Sequence, residues 1–170
     1  MISILNKIKK FGLLEILVFL SAFYVVSMLI WTASTRSAVE EKANTVKSNH
    51  KIIVDLINSE INQCDQGDKN STTKWGDQCN GAWSSDKVVK YINLNMKLIN
   101  PYSSTNEIIK LAQDPRLQAE GKAGQSTEMG VVFLSFKKFM SDPGSEWVIG
   151  TCVKSPCVAA GNNELTSVYR

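Results

Sequence analysis

The chain has 170 residues and a formal net charge of +3, and its apolar residues are concentrated near one end. Residues 11–35 contain a single charged side chain, Glu15, which excludes a fully soluble globular protein. Lys7, Lys9 and Lys10 account for the positive charge, and basic and acidic residues balance in the rest of the chain. The sequence therefore has no basic stripe of the kind that binds nucleic acid or an anionic surface.

Residues 11–35 are predicted to form a membrane-spanning helix. About 20 apolar residues at ~1.5 Å each cover the ~30 Å hydrocarbon core of a bilayer. Segment 1–10 before the helix is basic, whereas the arginine after it is soon followed by two glutamates. The excess of positive charge places the N-terminus in the cytoplasm and residues 36–170 outside. A cleaved signal peptide is the alternative, but its apolar region is usually ~7–15 residues and ends in a small-x-small site.

The helix is predicted to continue beyond the membrane through residues 36–64. No glycine occurs between Gly12 and Gly67, and the first proline is Pro101. Over 11–64 such a helix measures about 80 Å. In its outer half, apolar residues recur at steps of three, four and seven and form one stripe on the helix surface, namely Val39, Ala43, Val46, Ile53, Ile57 and Ile61. We therefore expect a domain packed on this stripe.

The exterior domain, residues 65–170, begins with a loop rich in Gly, Asn, Asp and Ser between two cysteines. Such residues favour turns and bury little apolar surface, so a covalent cross-link is expected. Four cysteines allow three pairings, and we favour the pairing of sequence neighbours, Cys64 with Cys79 and Cys152 with Cys157. A metal site is the alternative. The sequence has no C-x2-C pair and one histidine, and the exterior is oxidising. We therefore expect no metal and no cofactor.

Two short helices are predicted after this loop. Ser85 can cap a helix whose apolar residues fall at helical spacing and which ends at Asn100, before a proline. Ser104 and Glu107 stand in the relation of a capping box and predict a second helix, which Pro115 stops.

The last part of the domain is predicted to be an antiparallel sheet. Segments 130–139 and 146–153 are rich in β-branched and aromatic residues, and the turn residues between them indicate a hairpin. A further edge strand is predicted at 166–169. The expected fold class is α+β, with one long N-terminal helix packed on a small, disulfide-linked antiparallel sheet.

The N-terminal motif resembles that of the type IV pilins and pseudopilins. A basic leader, MISILNKIKK, precedes Phe11, and two leucines and Glu15 follow at the start of an unbroken apolar helix. The resemblance implies that a prepilin peptidase removes the leader and methylates the new N-terminal residue, Phe11. The glycine that this family has immediately before the cut is Lys10 here, and the glycine is Gly12, so the cut could instead follow Gly12. The resemblance covers residues 7–35 in motif and the remainder in architecture alone.

Glu15 is the residue whose role follows from physics as well as from the resemblance. A carboxylate in the hydrocarbon core costs about 3 kcal/mol unless it is paired or reaches the interface. The α-amino group of Phe11 in a neighbouring subunit would pair with it and fix the axial register between subunits. The alternative is that Glu15, close to Lys10, extends to the lipid headgroups. His50 lies on the stripe of the outer half without a catalytic partner, and we expect it to be structural.

The favoured function is a structural subunit of a type IV pilus-like or secretion-system filament, assembled with further copies or with other pilins. Such a subunit would cross the inner membrane once and then enter an extracellular filament. By resemblance to many pilins, the loop between Cys152 and Cys157 should lie on the filament surface or between subunits. The alternative is a monomeric exterior sensor or adhesin with an uncleaved membrane anchor. No catalytic motif is present, so we expect no enzyme activity.

Overall fold

The computed structural model describes residues 12–67, 70–105, 107–122, 128–138 and 145–170. These residues fall into two compact units, one that ends at Glu40 and one that begins at Glu41. The helix α1 (Leu13–Gln66) contributes to both units and is unbroken over its 54 residues. The long helix expected from the absence of glycine and proline is therefore present.

In the first unit, α1 is apolar and exposed. Every side chain from residue 14 to residue 40 is exposed, and the helix is long and apolar enough to cross a membrane by length and composition. Four hydroxyl groups of this segment donate hydrogen bonds to carbonyl oxygens one turn earlier in the same helix; they belong to Ser21, Ser27, Thr32 and Thr35. These groups are therefore satisfied without water, as a hydrocarbon environment requires.

The second unit is built on a four-stranded mixed sheet. The strands are adjacent in chain order and are β1 (Ile109–Leu111), β2 (Val132–Lys138), β3 (Ser145–Cys152) and β4 (Asn163–Tyr169). β1 runs parallel to β2, and the other neighbouring pairs are antiparallel. Two short helices complete the unit, α2 (Ser85–Asn95) and α3 (Pro115–Ala119).

The part of α1 in the second unit buries the stripe predicted from the sequence. Ile53, Ile57 and Ile61 are buried in one cluster with side chains from β2, β3 and β4, among them Leu134, Trp147, Ile149 and Val168. Complete burial of an aliphatic side chain of this size stabilises a fold by about 1.5–3 kcal/mol. Ala43 and Val46 of the stripe are buried in a second cluster with Val153. Val39, the first residue of the predicted stripe, is exposed in the first unit.

The helix α3 covers the other face of the sheet. Gly150 in the middle of β3 lies directly under it, and a Cβ atom at this position would overlap the carbonyl oxygen of Pro115. Glycine therefore permits the close approach of helix and strand. Arg116 of α3 also lies 3.7 Å from the buried carboxylate of Glu146 on β3.

The two predicted short helices need correction. α2 begins at Ser85 but ends at Asn95, so residues 96–100 are not helical. Ser84, and not Ser85, is the N-cap residue, and its side chain makes no capping hydrogen bond. Asp77 performs this task from outside the helix, because its carboxylate accepts a hydrogen bond from the Ser84 N–H at 2.7 Å.

The prediction of a second helix within residues 104–114 is wrong. Ile109–Leu111 form the strand β1, which pairs with β2. The side chain of Asn93 on α2 holds this strand: its amide donates to the Ile109 carbonyl at 2.9 Å, and its oxygen accepts from the N–H groups of Ile108 and Ile109. Asp114 begins the helix α3 instead of ending one, because its carboxylate accepts from the Arg116 N–H at 3.0 Å.

The predicted hairpin and edge strand are confirmed, although the sheet is not purely antiparallel. β2 and β3 pair from Val132 with Thr151 to Lys138 with Ser145. The turn between them, residues 139–144, lies outside the described residues. The edge strand begins earlier than predicted, at Asn163. The sheet is mixed because β1 adds to it in parallel, and no strand was expected in that segment.

Two disulfides join Cys64 to Cys79 and Cys152 to Cys157, the pairs favoured from the sequence. The first lies at the C-terminal end of α1, and both of its cysteines are buried. The loop that it closes contributes Trp75 to the core, where this side chain packs edge-on against Trp83 with ring centroids 5.2 Å apart. The first disulfide therefore fixes a loop that supplies part of the core.

We expect the first disulfide to stabilise the domain more than the second. Their sequence separations are 15 and 5 residues, for which loop-closure entropy predicts about 3 and about 2 kcal/mol. The Cys64→Ser/Cys79→Ser variant should also lose part of the packing of Trp75. Chemical denaturation of the full chain in detergent micelles, followed by tryptophan fluorescence, measures both variants. An equal or larger loss of unfolding free energy in Cys152→Ser/Cys157→Ser would contradict this ranking.

Candidate assembly site

Glu15 lies in the first turn of α1 and bonds to the start of its own helix. Its Oε2 accepts a hydrogen bond from the N–H of Gly12 at 3.0 Å, while the Gly12 carbonyl accepts from the N–H groups of Glu15 and Ile16. This bond is half of a capping box, in which the side chain of the third helical residue accepts a hydrogen bond from the backbone N–H of the N-cap residue. The negative charge also lies at the positive end of the helix dipole.

This arrangement leaves one carboxylate oxygen of Glu15 for a second partner. A carboxylate offers about four lone-pair sites, and the Gly12 N–H uses one of them. Lys10 and Phe11, the other two residues of the expected processing site, lie outside the described residues. Pairing of Glu15 with the N-terminus of a neighbouring subunit therefore stays a prediction.

His50 joins α1 to β3 and β4 inside the second unit. Its Nδ1 lies 2.8 Å from the Thr151 hydroxyl, and its Nε2 lies 2.9 Å from the Thr166 hydroxyl. Burial lowers the pKa of His50 below its usual value of 6.5, and the nearby Glu164 carboxylate opposes this effect. A hydroxyl can donate or accept, so both threonines satisfy the neutral imidazole in either tautomer. The position agrees with the structural role expected for this residue.

Two buried acids beside the first disulfide were not singled out from the sequence. Glu60 on α1 accepts a hydrogen bond from the Lys74 N–H at 2.9 Å, and its other oxygen lies 2.8 Å from Lys74 Nζ. The hydrogen bond to Glu60 raises the pKa of Lys74. About half of the Lys74 side chain is exposed (48%), so water screens the ion pair. Asp77 makes a similar pair with Lys87 at 2.6 Å.

One sequence signal could have identified Glu60. This glutamate lies between Ile57 and Ile61 on the buried side of α1, where an acid interrupts the apolar stripe. An acid at such a position needs a donor from the element packed against it, because burial of an unpaired charge is costly. The sequence did not show which residue of the following loop would supply that donor.

Arg170, the residue after β4, forms hydrogen bonds at the end of the loop closed by the first disulfide. Its guanidinium donates to the carbonyl oxygens of Cys79 and Gly81 and lies over the ring of Trp83, 4.1 Å from the centroid. Burial lowers the pKa of Arg170, although the neighbouring Asp65 carboxylate raises it. An arginine pKa starts so high that the group keeps its charge. The charged guanidinium of Arg170 therefore covers one face of the Trp83 ring.

The segment closed by the second disulfide is held by side-chain amides as well. Asn162 donates to the Pro156 carbonyl at 3.0 Å, and Asn163 donates to the Cys157 carbonyl at 2.5 Å. The segment leaves Val158 60% exposed. Cys152 is fully buried at the end of β3, so the disulfide ties an exposed segment to the sheet. Whether this surface faces other subunits stays a prediction.

Comparison with protein-family models, with curated proteins and with solved structures finds no match for this chain. Within the described residues, no group of three or more His, Cys, Asp or Glu side chains could hold a metal ion. The chemistry of each site residue therefore has to be inferred from its own contacts, burial and charge.

We expect acid to weaken the attachment of α1 to the sheet through His50. The folded state binds this proton more weakly than the unfolded state, so the contribution of His50 to stability is fully present above pH 6.5 and falls as the pH drops from 6.5 towards the lower pKa of the folded state. His50→Gln keeps a donor and an acceptor but does not titrate. The difference in unfolding free energy between the wild type and His50→Gln should therefore shrink on acidification.

Nuclear magnetic resonance of the imidazole provides a direct check. The chain has one histidine, so its signal needs no assignment. Titration at or above pH 6.5 in the folded chain would contradict the prediction. Glu164→Gln is the matched control: removing this carboxylate should lower the pKa of His50 further, because Glu164 raises it in the wild type.

Proposed function

We propose that this chain is a structural subunit of a type IV pilus-like or secretion-system filament, anchored and assembled through the first part of α1. One observation carries the proposal. A single unbroken helix is wholly exposed and apolar over its first part, carries one acid in its first turn, and enters the core of a disulfide-linked α+β unit over its last part. This combination suits a subunit that is held in a membrane before it is transferred to a helical bundle.

The position of Glu15 favours assembly over simple tethering. An acid lowers the partition of an apolar anchor into hydrocarbon, because a charge is costly there. The capping bond from Gly12 offsets part of that cost and leaves acceptor sites on the carboxylate. A cation from a neighbouring subunit would complete its coordination.

The alternative is a membrane-tethered exterior domain. The sequence feature that favours it is Lys10, which stands where pilins have the glycine of the processing site. An uncleaved leader would leave the N-terminal charges in the cytoplasm and keep each chain in the membrane. The state of the N-terminus therefore separates the two functions.

The test is the intact mass of protein recovered from the cell surface. We expect a chain that lacks residues 1–10, begins at Phe11 and carries one methyl group. A chain that begins after Gly12 would shift the cut but keep the proposal. A retained leader on surface protein would overturn the proposal in favour of the tether.

Removing the charge of Glu15 should abolish filament assembly without preventing membrane insertion. Glu15→Ala removes the one charge of the span and makes it more apolar, so the subunit should still insert. Glu15→Gln is the informative companion, because glutamine can keep the capping bond from Gly12 but has no charge. Loss of filaments in both variants, measured by shearing and immunoblotting, indicates that the charge is needed.

Asp55 supplies a control on the same helix, since it is an exposed acid in the second unit. Asp55→Ala should leave filament yield near that of the wild type. Normal yield in Glu15→Ala would show that Glu15 only reaches the headgroups. Recovery of assembly in Glu15→Gln alone would show that the carboxylate serves as a helix cap and not as an ionic partner.

A further inference from the structure

The exposed part of α1 has two unlike faces. Tyr24, Ser27, Met28, Trp31, Thr32 and Thr35 follow one another at steps that keep them on one side of the helix, which we call the hydroxyl face. The opposite side, the apolar face, bears Phe19, Ala22, Val26, Ile30 and Ala33. A helix surrounded by lipid alone has no need for this separation, because hydrocarbon surrounds it on every side.

Tyr24 places a hydrogen-bond donor near the middle of the span. It lies 11 residues after Leu13, or about 16 Å along the helix, close to half of the ~30 Å hydrocarbon thickness. Its side chain is 69% exposed, and its hydroxyl has no hydrogen-bond partner among the described residues. A hydroxyl without a partner in hydrocarbon is costly. Trp31 lies about 27 Å along the helix, where interfacial water can satisfy its indole N–H.

The same face carries acceptors of the required kind. Ser27 donates its proton to the Phe23 carbonyl at 2.5 Å, and Thr32 donates its proton to the Leu29 carbonyl at 3.0 Å. Each hydroxyl oxygen still has two acceptor lone pairs while it donates its proton. The hydroxyl face therefore combines a donor that lacks a partner with acceptors that can take one.

The shape of the face also suits a second helix. The small Ser27 lies between the large side chains of Tyr24 and Trp31, and together with Met28 and Thr32 these residues line a groove. Small residues between large ones let two helices approach closely in a membrane. A copy of the same surface offers both a side chain to fill the groove and a groove to receive one.

We infer that two copies of this chain pack in parallel through the hydroxyl face, with Tyr24 of each helix donating to the Ser27 hydroxyl of the other, while the apolar face meets lipid. This assignment rests on the proposed function, in which the spans associate. The occupant is a second copy because donor and acceptors lie on one surface, so the surface is complementary to itself. Lipid chains would leave the Tyr24 hydroxyl without a partner.

Photo-crosslinking of the full chain in native membranes tests which face meets a second copy. A benzophenone amino acid is placed at Met28, which lines the groove and leaves Tyr24 intact, or, as a control at nearly the same depth on the apolar face, at Val26. We expect crosslinked dimer from position 28 and little from position 26. Equal or stronger dimer crosslinking from position 26 would overturn the face assignment but leave assembly through the span intact.

The hydroxyl itself is tested by energy transfer between labelled full-length chains in lipid vesicles. Tyr24→Phe removes only the oxygen, and we expect the association constant to fall about threefold to tenfold. Tyr24→Phe/Phe23→Tyr keeps the composition and moves the hydroxyl off the face, so it should associate as weakly as Tyr24→Phe. Unchanged association in both variants would overturn the role of Tyr24.

Two outcomes separate the face assignment from the proposed function. Crosslinks from position 28 to a different protein alone would overturn the second copy as the occupant. No crosslink between copies from either position, in a chain that resists alkaline extraction from membranes, would overturn both the face assignment and assembly through the span.

Discussion

One constraint organises this molecule: a single continuous helix must suit two different surroundings. The backbone of α1 satisfies its own hydrogen bonds, so it can pass from an apolar segment into a protein core without a break. Only the side chains change, from a surface exposed on all sides to a buried stripe at Ile53, Ile57 and Ile61. A glycine or proline would destabilise the helix, most of all in the exposed part that no other element packs against. The absence of both residues between Gly12 and Gly67 is therefore part of the same constraint.

The polar groups within the buried stripe determine how α1 lies on the sheet. Apolar packing alone tolerates small rotations and shifts of a helix, whereas hydrogen bonds have narrow geometry. His50 bonds to two strands, Asn49 donates to the Ile99 carbonyl at 2.9 Å, and Glu60 bonds to the loop after α1. These contacts lie along more than two turns of the helix. Each would leave a buried polar group unsatisfied if α1 rotated, so they favour one arrangement.

Features set by local patterns were predictable from the sequence, and features set by distant contacts were not. The length of α1, its stripe and the β2–β3 hairpin follow from spacing and turn residues within each segment. The segment of Ile109 has a capping box and helical spacing, yet it is a strand because Asn93 and β2 supply its hydrogen bonds from elsewhere in the chain. The partner of Glu60 was hidden for the same reason. In the candidate assembly site, Glu15 was predictable as a solitary acid in an apolar run, and its bond to Gly12, three residues earlier, is also a local contact.

The bonds from Asn93 have a consequence for how the sheet behaves towards other chains. An edge strand offers its outward N–H and C=O groups to any extended peptide, and this pairing is a common route to aggregation. Asn93 occupies both outward groups of Ile109, at the start of the main-chain pairing surface that β1 would otherwise present. The amide side chain of Asn93 thus makes the β1 edge of the sheet a poor template for a strand from another chain. The second unit is therefore protected along β1 from association through its backbone.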